Sequence, residues 1–92
     1  MEDKSGVFAI SVAAGMVSMQ VQNLRVYERR GLVDPDRTAK GTRLYSAADI
    51  ERLNRIRELL ADGLNLAGIG RVLELEDQLV HLRAEVARLR GR

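Results

Sequence analysis

The sequence contains no cysteine or tryptophan, and only one proline and three aromatic side chains among its 92 residues. Without cysteine, disulfides, thiolate metal sites, iron–sulfur clusters and cysteine nucleophiles are excluded. The three rings are Phe8, Tyr27 and Tyr45, so the core must consist mainly of aliphatic side chains. A chain of this length forms one small domain with a modest core, too small to enclose a large active site.

Membrane and catalytic signals are also missing. No apolar run approaches the roughly 20 residues that span a bilayer, and the start MEDKSG lacks the basic region of a signal peptide. We therefore expect a cytoplasmic protein with no membrane partner. There is no glycine-rich phosphate loop, H-E-x-x-H motif or nucleophile elbow. His81 has no companion ligand, and Glu74, Glu76 and Asp77 spread around a helix, so we predict no enzyme, metal site or cofactor.

Positive charge is concentrated in the middle of the chain. Residues 20–45 contain six basic side chains against three acidic ones, whereas residues 74–92 contain four of each. Clustered Lys and Arg gain from releasing the counterions condensed on phosphates, which favours a polyanionic partner. A solvated charged face explains the same surplus.

Two short helices are predicted in the first third of the sequence. Residues 10–17 form a small, apolar run with Ser11 as the N-cap. Val21 and Leu24 restart the helical spacing after an interruption, and Gly31 supplies a left-handed C-cap for the second helix.

A hairpin is predicted next. Asp34-Pro35 requires an extended or turn conformation, and Lys40-Gly41 suits a hairpin tip between the strands DRTA and TRLY. Two short helices followed by a hairpin is the layout of a winged helix-turn-helix, whose second helix enters the DNA major groove.

Two further helices follow the hairpin. Ser46 and Asp49 match a capping box before a third helix that ends at Asp62-Gly63, and Asn65 caps a fourth. The apolar side of the fourth helix consists of Leu66, Ile69, Val72 and Leu73. Beyond it, apolar residues spaced 4, 3, 4, 3 form a heptad seam made of Leu75, Leu79, Leu82, Val86 and Leu89.

The predicted fold is mainly α: a winged helix-turn-helix with a small β-hairpin wing over residues 1–73, and a C-terminal coiled-coil dimerisation helix over residues 74–92. The charges leave the orientation of the coil open. Glu85 and Arg90 would pair in a parallel coil, whereas Glu76 and Arg90 would pair in an antiparallel one.

The segment ISVAAGMVSMQVQNLRVYERRGLVDPDRT, with the later GTRLYS, resembles the DNA-binding domain of the MerR family of bacterial transcription regulators. The matching positions are Leu24, Arg25, Tyr27, Glu28, Gly31, Leu32, Pro35, Arg37, Gly41, Arg43 and Tyr45. The opening ISVAA and the later NLAGI are most similar to the heat-shock repressor branch, HspR, whose members usually carry a longer C-terminal tail. The sequence departs from the family pattern in the turn and at reading positions, namely Ser18, Gln20, Asn23 and Thr42.

The second helix is predicted to read DNA through Gln22, Asn23, Arg25, Tyr27 and Arg29. Arg25 and Arg29 project outward to phosphates or guanine edges, for which a planar bidentate donor is well shaped. Tyr27 is expected to lay its ring on the domain and extend its hydroxyl to a phosphate; the alternative is a core ring whose hydroxyl is only solvated.

On the wing, the predicted DNA contacts are Arg37, Lys40, Arg43 and Tyr45. Arg43 and Tyr45 would share one face of the strand while Leu44 packs inward. Glu28 is expected to orient a neighbouring arginine.

The resulting hypothesis is a homodimeric regulator, a repressor on an inverted repeat in double-stranded DNA. The resemblance implies an antiparallel coil and distortion of the DNA between half-sites. The alternatives are an excisionase-like architectural DNA-binding protein and a module that pairs the seam with a foreign helix. The sequence leaves open the operator, the inducer, the direction of regulation and any protein co-regulator.

Overall fold

A computed structural model of the chain describes residues 5–91, so residues 1–4 and 92 of the two predicted domains lie outside the described residues. The described chain forms four helices: α1 (Ile10–Met16), α2 (Val21–Arg29), α3 (Ala47–Ala61) and α4 (Leu66–Arg90). Three short strands, β1 (Phe8–Ala9), β2 (Asp36–Arg37) and β3 (Arg43–Tyr45), form an antiparallel sheet in the order β1-β3-β2. The mainly helical class with a small wing is confirmed.

The start of α1 differs from its prediction. Ala9, with extended backbone and no side-chain cap, precedes the helix, and Ser11 lies inside the first turn. The predicted Ser11 cap is therefore wrong, because pairing in β1 holds the chain extended up to Ala9 and the helix begins directly afterwards. Ala13 and Ala14 of α1 are buried, and such small side chains let a neighbouring helix approach closely.

The turn between α1 and α2 has a left-handed residue that is not glycine. Ser18 has φ 55°, and the amide of the next residue, Met19, donates to the carbonyl oxygen of Ala14 over 3.0 Å. A left-handed conformation is costly for a residue with a Cβ atom. Gln20 precedes α2 and makes no side-chain cap, as expected for a residue that caps poorly.

The predicted ends of α2 and α3 are confirmed. Gly31 and Gly63 have φ values of 74° and 92°, a conformation that glycine adopts readily. After α2, the amide of Leu32 donates to the carbonyl of Tyr27 over 2.9 Å, which completes a Schellman motif with the 2.9 Å bond from Gly31 to Glu28.

The predicted N-caps of α3 and α4 are also confirmed. The amide of Asp49 donates to Oγ of Ser46 over 3.0 Å, and the amide of Ser46 donates to Oδ2 of Asp49 over 2.9 Å. At α4, the amide of Gly68 donates to Oδ1 of Asn65 over 2.8 Å. These bonds satisfy donors that have no partner within the helix.

The strand β1 was not predicted, and it adds a third strand to the wing. Phe8 of β1 lies opposite Tyr45 of β3. Just before it, the amide of Gly6 donates to Oδ2 of Asp36 over 2.9 Å, and a Cβ atom at Gly6 would lie 2.4 Å from the carbonyl oxygen of Leu44. The base of the wing is therefore fixed by a strand of two residues, too short to show an alternating pattern.

One core connects the helices to the wing. Its buried side chains are largely aliphatic and come from α1 to α4 and β3, and the largest that are fully buried are Tyr45, Leu24, Leu53, Ile56, Ile69 and Val17. The composition had indicated this aliphatic core.

The fourth helix continues without interruption through the predicted domain boundary at residues 73 and 74. Ile69 and Leu73 are buried, and Leu66 and Val72 pack against the core, as predicted. Beyond Leu73 the apolar side chains of α4 are exposed. In the described part of the chain, no helix combines the length and apolar character that crossing a bilayer requires.

Candidate DNA interface

The second helix of the helix-turn-helix has one buried and one exposed face. Leu24 and Tyr27 face the core, while the solvent face carries Gln22, Asn23, Arg25 and Arg29. The predicted outward orientation of the two arginines is confirmed. Their contacts with bases or phosphates remain predictions.

Tyr27 is a core residue. It is 5% exposed, and burial raises the pKa of its hydroxyl. The ring therefore follows the alternative interpretation, in which it packs in the core, and the phosphate contact of its hydroxyl remains a prediction. Tyr27 is near Arg25 and Arg29 in sequence but lies on the opposite, buried side of the helix.

The prediction that Tyr45 reaches DNA is wrong for this structure. Tyr45 is fully buried, and its hydroxyl has no hydrogen-bond partner. The expected alternation is reversed: Tyr45 packs in the core formed with α1 to α4, while Leu44 on the other face of β3 is only half-buried. Burial raises the pKa of the Tyr45 hydroxyl, and the charge of Glu28 adds to the increase.

Glu28 joins the recognition helix to the wing. Its Oε2 accepts a 2.7 Å hydrogen bond from Nη2 of Arg37, and its Oε1 accepts one from Nε of Arg43. Burial raises the pKa of the Glu28 carboxyl, but the hydrogen bonds and charges of Arg43 and Arg37 outweigh burial, so this pKa lies below its ordinary value. The expectation that Glu28 orients an arginine is confirmed, although the sequence did not indicate two partners from two strands.

Unlike Arg37 and Arg43, the other cations of residues 20–45 are not paired with Glu28. Within residues 5–91, no ion pair is formed by Arg25, Arg29, Arg30 or Lys40, and all four are exposed. They lie along α2, at its end and at the tip of the wing. These four cations per chain are not neutralised by a carboxylate of the described residues.

The seam of α4 is exposed in the single chain. Its members are 42–59% exposed and comprise Leu75, Leu79, Leu82, Val86 and Leu89. The charges beside it are already paired within the chain: Glu76 with Arg55 at 2.7 Å, and Glu85 with Arg88. The two pairings with Arg90 considered for the coil would each compete with one of these ion pairs.

The acidic side chains Glu76 and Asp77, where the seam begins, form ion pairs with arginines of α3. Arg52 contacts Asp77 at 3.1 Å, and the spacing of these residues along two helices was not recognised in the sequence. His81 is exposed, and residues 5–91 contain no group of acidic or histidine side chains arranged to hold a metal ion.

An exposed basic helix, preceded by a tight turn and flanked by a wing, defines a winged helix-turn-helix domain. The profile of the MerR HTH family regulatory proteins matches residues 8–76, and the chain belongs to this family.

Similar proteins include the putative heat shock protein HspR of Streptomyces coelicolor, 49% identical over 97% of this chain and 60% of that protein. The lead(II) complex of the transcription regulator PbrR691 of Ralstonia metallidurans has 28% identity and a TM-score of 0.73, covering 92% of this chain and 73% of that one. HiNmlR, a MerR family regulator lacking the sensor domain and bound to promoter DNA, shares the fold at 22% identity and TM-score 0.67, with coverage of 90% and 75%. The chain thus spans about 60% of its HspR relative.

Proposed function

We propose that the protein is a homodimeric, sequence-specific DNA-binding transcriptional regulator that acts as a repressor on an inverted repeat. The observation that carries the proposal is the exposed face of α2. Gln22, Asn23, Arg25 and Arg29 point to solvent from a helix whose other face is anchored by Leu24. Such a helix presents base-reading and phosphate-binding groups without disturbing the core.

The exposed side chains divide by chemistry. Arg25 and Arg29 offer planar, bidentate donors suited to guanine edges or phosphates, and the amides of Gln22 and Asn23 suit adenine. Lys40, at the tip of the wing, offers a point charge for a neighbouring phosphate. Base reading by α2 and phosphate binding by the wing together fix the orientation of the domain on the duplex.

The dimer is proposed from the exposed seam. A helix that buries its apolar side through Leu73 and then exposes a heptad row from Leu75 to Leu89 has an unpaired coiled-coil face. A second copy of the chain offers the same row, and their pairing places two recognition helices on the two half-sites of an inverted repeat. The family resemblance favours an antiparallel pair.

The resemblance to the heat-shock repressor branch supports repression, and the 49% identity to the HspR relative points to the same branch. The promoter DNA in the HiNmlR structure supports DNA as the partner of this fold. We infer a cytoplasmic location from this function. The sequence contains no cysteine, so it differs from regulators that sense metals through cysteine ligands.

The deciding experiment selects duplexes from a random pool and measures their binding against salt. Arg25, Arg29 and Lys40 form no ion pair within the described residues, so a dimer brings six unpaired cations to the DNA. A set of 6–10 phosphate contacts implies that affinity falls by about 10³–10⁵-fold between 50 and 200 mM salt. We expect an enriched inverted repeat and this steep fall.

The exposed seam also favours a second candidate, a module that pairs with a foreign helix. That candidate predicts no enriched duplex and a flat salt profile. An enriched single site that the protein bends would instead favour the excisionase-like architectural function.

A further inference from the structure

Two cations of the wing face each other directly. Arg37 of β2 and Arg43 of β3 are paired residues in the antiparallel register. Like charges directly opposite each other destabilise a pair of strands. The arrangement therefore requires a counter-charge, and the structure supplies one from another element, α2.

The carboxylate of Glu28 pairs with both arginines. Each carboxylate oxygen of Glu28 accepts from one of them, and the Glu28 side chain is only 17% exposed. Arg37 also donates from Nη1 to the carbonyl oxygen of Gly41 over 2.9 Å, so the same side chain reaches the left-handed residue of the hairpin. The network extends without interruption from the recognition helix through both strands to the hairpin loop.

Glu28 lies on the same helix as the exposed Arg25 and Arg29, and its negative charge offsets part of the positive charge that this region presents to phosphates. Nonspecific affinity depends on the number of free cations, whereas discrimination depends on how rigidly the reading groups are held. A negative charge that lowers nonspecific affinity and holds the reading groups in place raises the ratio of specific to nonspecific affinity.

We propose that Glu28 is a positioning residue of the DNA interface, which fixes the wing to α2 and withholds the charges of Arg37 and Arg43 from nonspecific phosphate contact. The inference rests on the proposed DNA-binding function. It assigns to Glu28 a part in sequence discrimination, although its carboxylate touches no DNA.

The test compares Glu28→Gln with the parent on the selected repeat and on unrelated duplex. Each released arginine should steepen the logarithmic salt dependence on unrelated duplex by about 0.9. The loss of affinity for unrelated duplex between 50 and 200 mM salt should then grow about 3.5-fold for each arginine released, and so about 12-fold when one arginine per chain of the dimer is released. The ratio of specific to nonspecific affinity should fall, because the wing is no longer fixed.

Glu58→Gln is the matched control. It makes the same change in net charge on α3, and its partner Arg55 remains held by Glu76 at 2.7 Å. A merely structural role of Glu28 would lower thermal stability without steepening the salt dependence. Equal salt slopes and equal specificity ratios for Glu28→Gln and Glu58→Gln would overturn the proposal.

A second pair of variants covers the case in which Glu28→Gln does not fold. Arg37→Gln removes a half-exposed cation that Glu28 already neutralises, so the salt slope on unrelated duplex should equal that of the parent. Lys40→Gln removes an unpaired cation and should reduce the slope by about 0.9 per chain. An equal reduction for both variants would contradict the proposal.

Measurements on the parent protein distinguish a failure of the proposed DNA-binding function from a failure of the positioning role of Glu28. A parent with a steep salt dependence and an enriched repeat, together with unaltered behaviour of Glu28→Gln, overturns only the role of Glu28. A parent that enriches no duplex and shows a flat salt profile overturns the proposed function and this inference with it.

Discussion

Arg55 of α3 donates hydrogen bonds to Glu76 of α4 from two nitrogens. Nη2 lies 2.7 Å from Oε2, and Nε lies 3.0 Å from Oε2 and 3.1 Å from Oε1. Glu76 stands three residues beyond Leu73, the last buried residue of α4. The contact therefore fixes the direction in which the exposed seam leaves the core. Hydrogen bonding from Arg55 lowers the pKa of Glu76 more than burial raises it.

The first prediction is a loss of stability in acid. Because the folded-state pKa of Glu76 lies below its ordinary value of 4.5, the ionised form stabilises the fold above about pH 4.5. This contribution is lost as the pH falls through the folded-state pKa of Glu76. The pKa of Glu28 is also lowered in the folded protein, so its contribution to stability is lost in acid in the same way. We expect thermal unfolding at fixed protein concentration to show a smaller drop between pH 7 and about pH 3.5 for Glu76→Gln than for the parent. A parent as stable in acid as at neutrality would contradict this.

The second prediction concerns the buried hydroxyl of Tyr45. Since this group has no partner and is shielded from water, removing it should increase the free energy of unfolding by about 1 kcal/mol. Tyr45→Phe should leave DNA affinity unchanged. The comparison is Tyr27→Phe, which should weaken binding to all duplexes if the Tyr27 hydroxyl reaches a phosphate. Weaker DNA binding by Tyr45→Phe at unchanged stability would place its hydroxyl on the DNA.

The predictable features of the fold are those encoded by neighbours in sequence. Ser46 with Asp49, Asn65, Gly31 and Gly63 each mark a helix end through local bonds or a backbone conformation, and all were confirmed. The heptad spacing and the buried side of α4 could be read for the same reason.

The features that escaped prediction depend on contacts between distant segments. The predicted DNA contact of Tyr45 is wrong because alternation along β3 shows which residues share a face but not which face is covered. The core residues that bury Tyr45 lie far from it in sequence and include Ala13 of α1 and Leu24 of α2. The partners of Glu28 were missed similarly, because Arg37 and Arg43 approach it only through the fold of the wing.

The third prediction tests the turn between α1 and α2. Ser18→Gly removes the cost of a left-handed Cβ, of about 1 kcal/mol or more, and adds some unfolded-state entropy. We expect a net stabilisation of about 0.5 kcal/mol in denaturant unfolding. Ser11→Gly is the matched control, because the same change inside α1 should destabilise by roughly 0.5–1 kcal/mol. A loss of stability with Ser18→Gly would show that the serine side chain compensates for its conformation.

The fourth prediction separates reading from positioning. Arg25→Ala should relax base preference at one position per half-site and cost about 1–3 kcal/mol on the selected repeat. Lys40→Ala should weaken all duplexes about equally. Both side chains are exposed, so neither variant should alter the fold. If Arg25→Ala scaled every sequence by one common factor, Arg25 would be a phosphate contact.

The last prediction concerns the seam of α4. Leu82 occupies a central d position and is 59% exposed in the single chain, while Val80, on the same helix but off the seam, is 69% exposed. In a dimer, Leu82→Glu would bury an unpaired charge from each chain, whereas Val80→Glu would leave its charge in water. The two variants have the same net charge, so the main difference between them is where the carboxylate lies.

We expect Leu82→Glu to be a monomer that retains the folded winged domain and weak nonspecific DNA binding, because the core ends at Leu73. It should lose tight binding to the inverted repeat, since two half-sites are no longer engaged at fixed spacing. Val80→Glu should remain a dimer with the parent's affinity. Sedimentation and titration against one and two half-sites distinguish these outcomes. A monomeric Leu82→Glu that bound the full repeat as tightly as the parent would show that recognition does not depend on the coil.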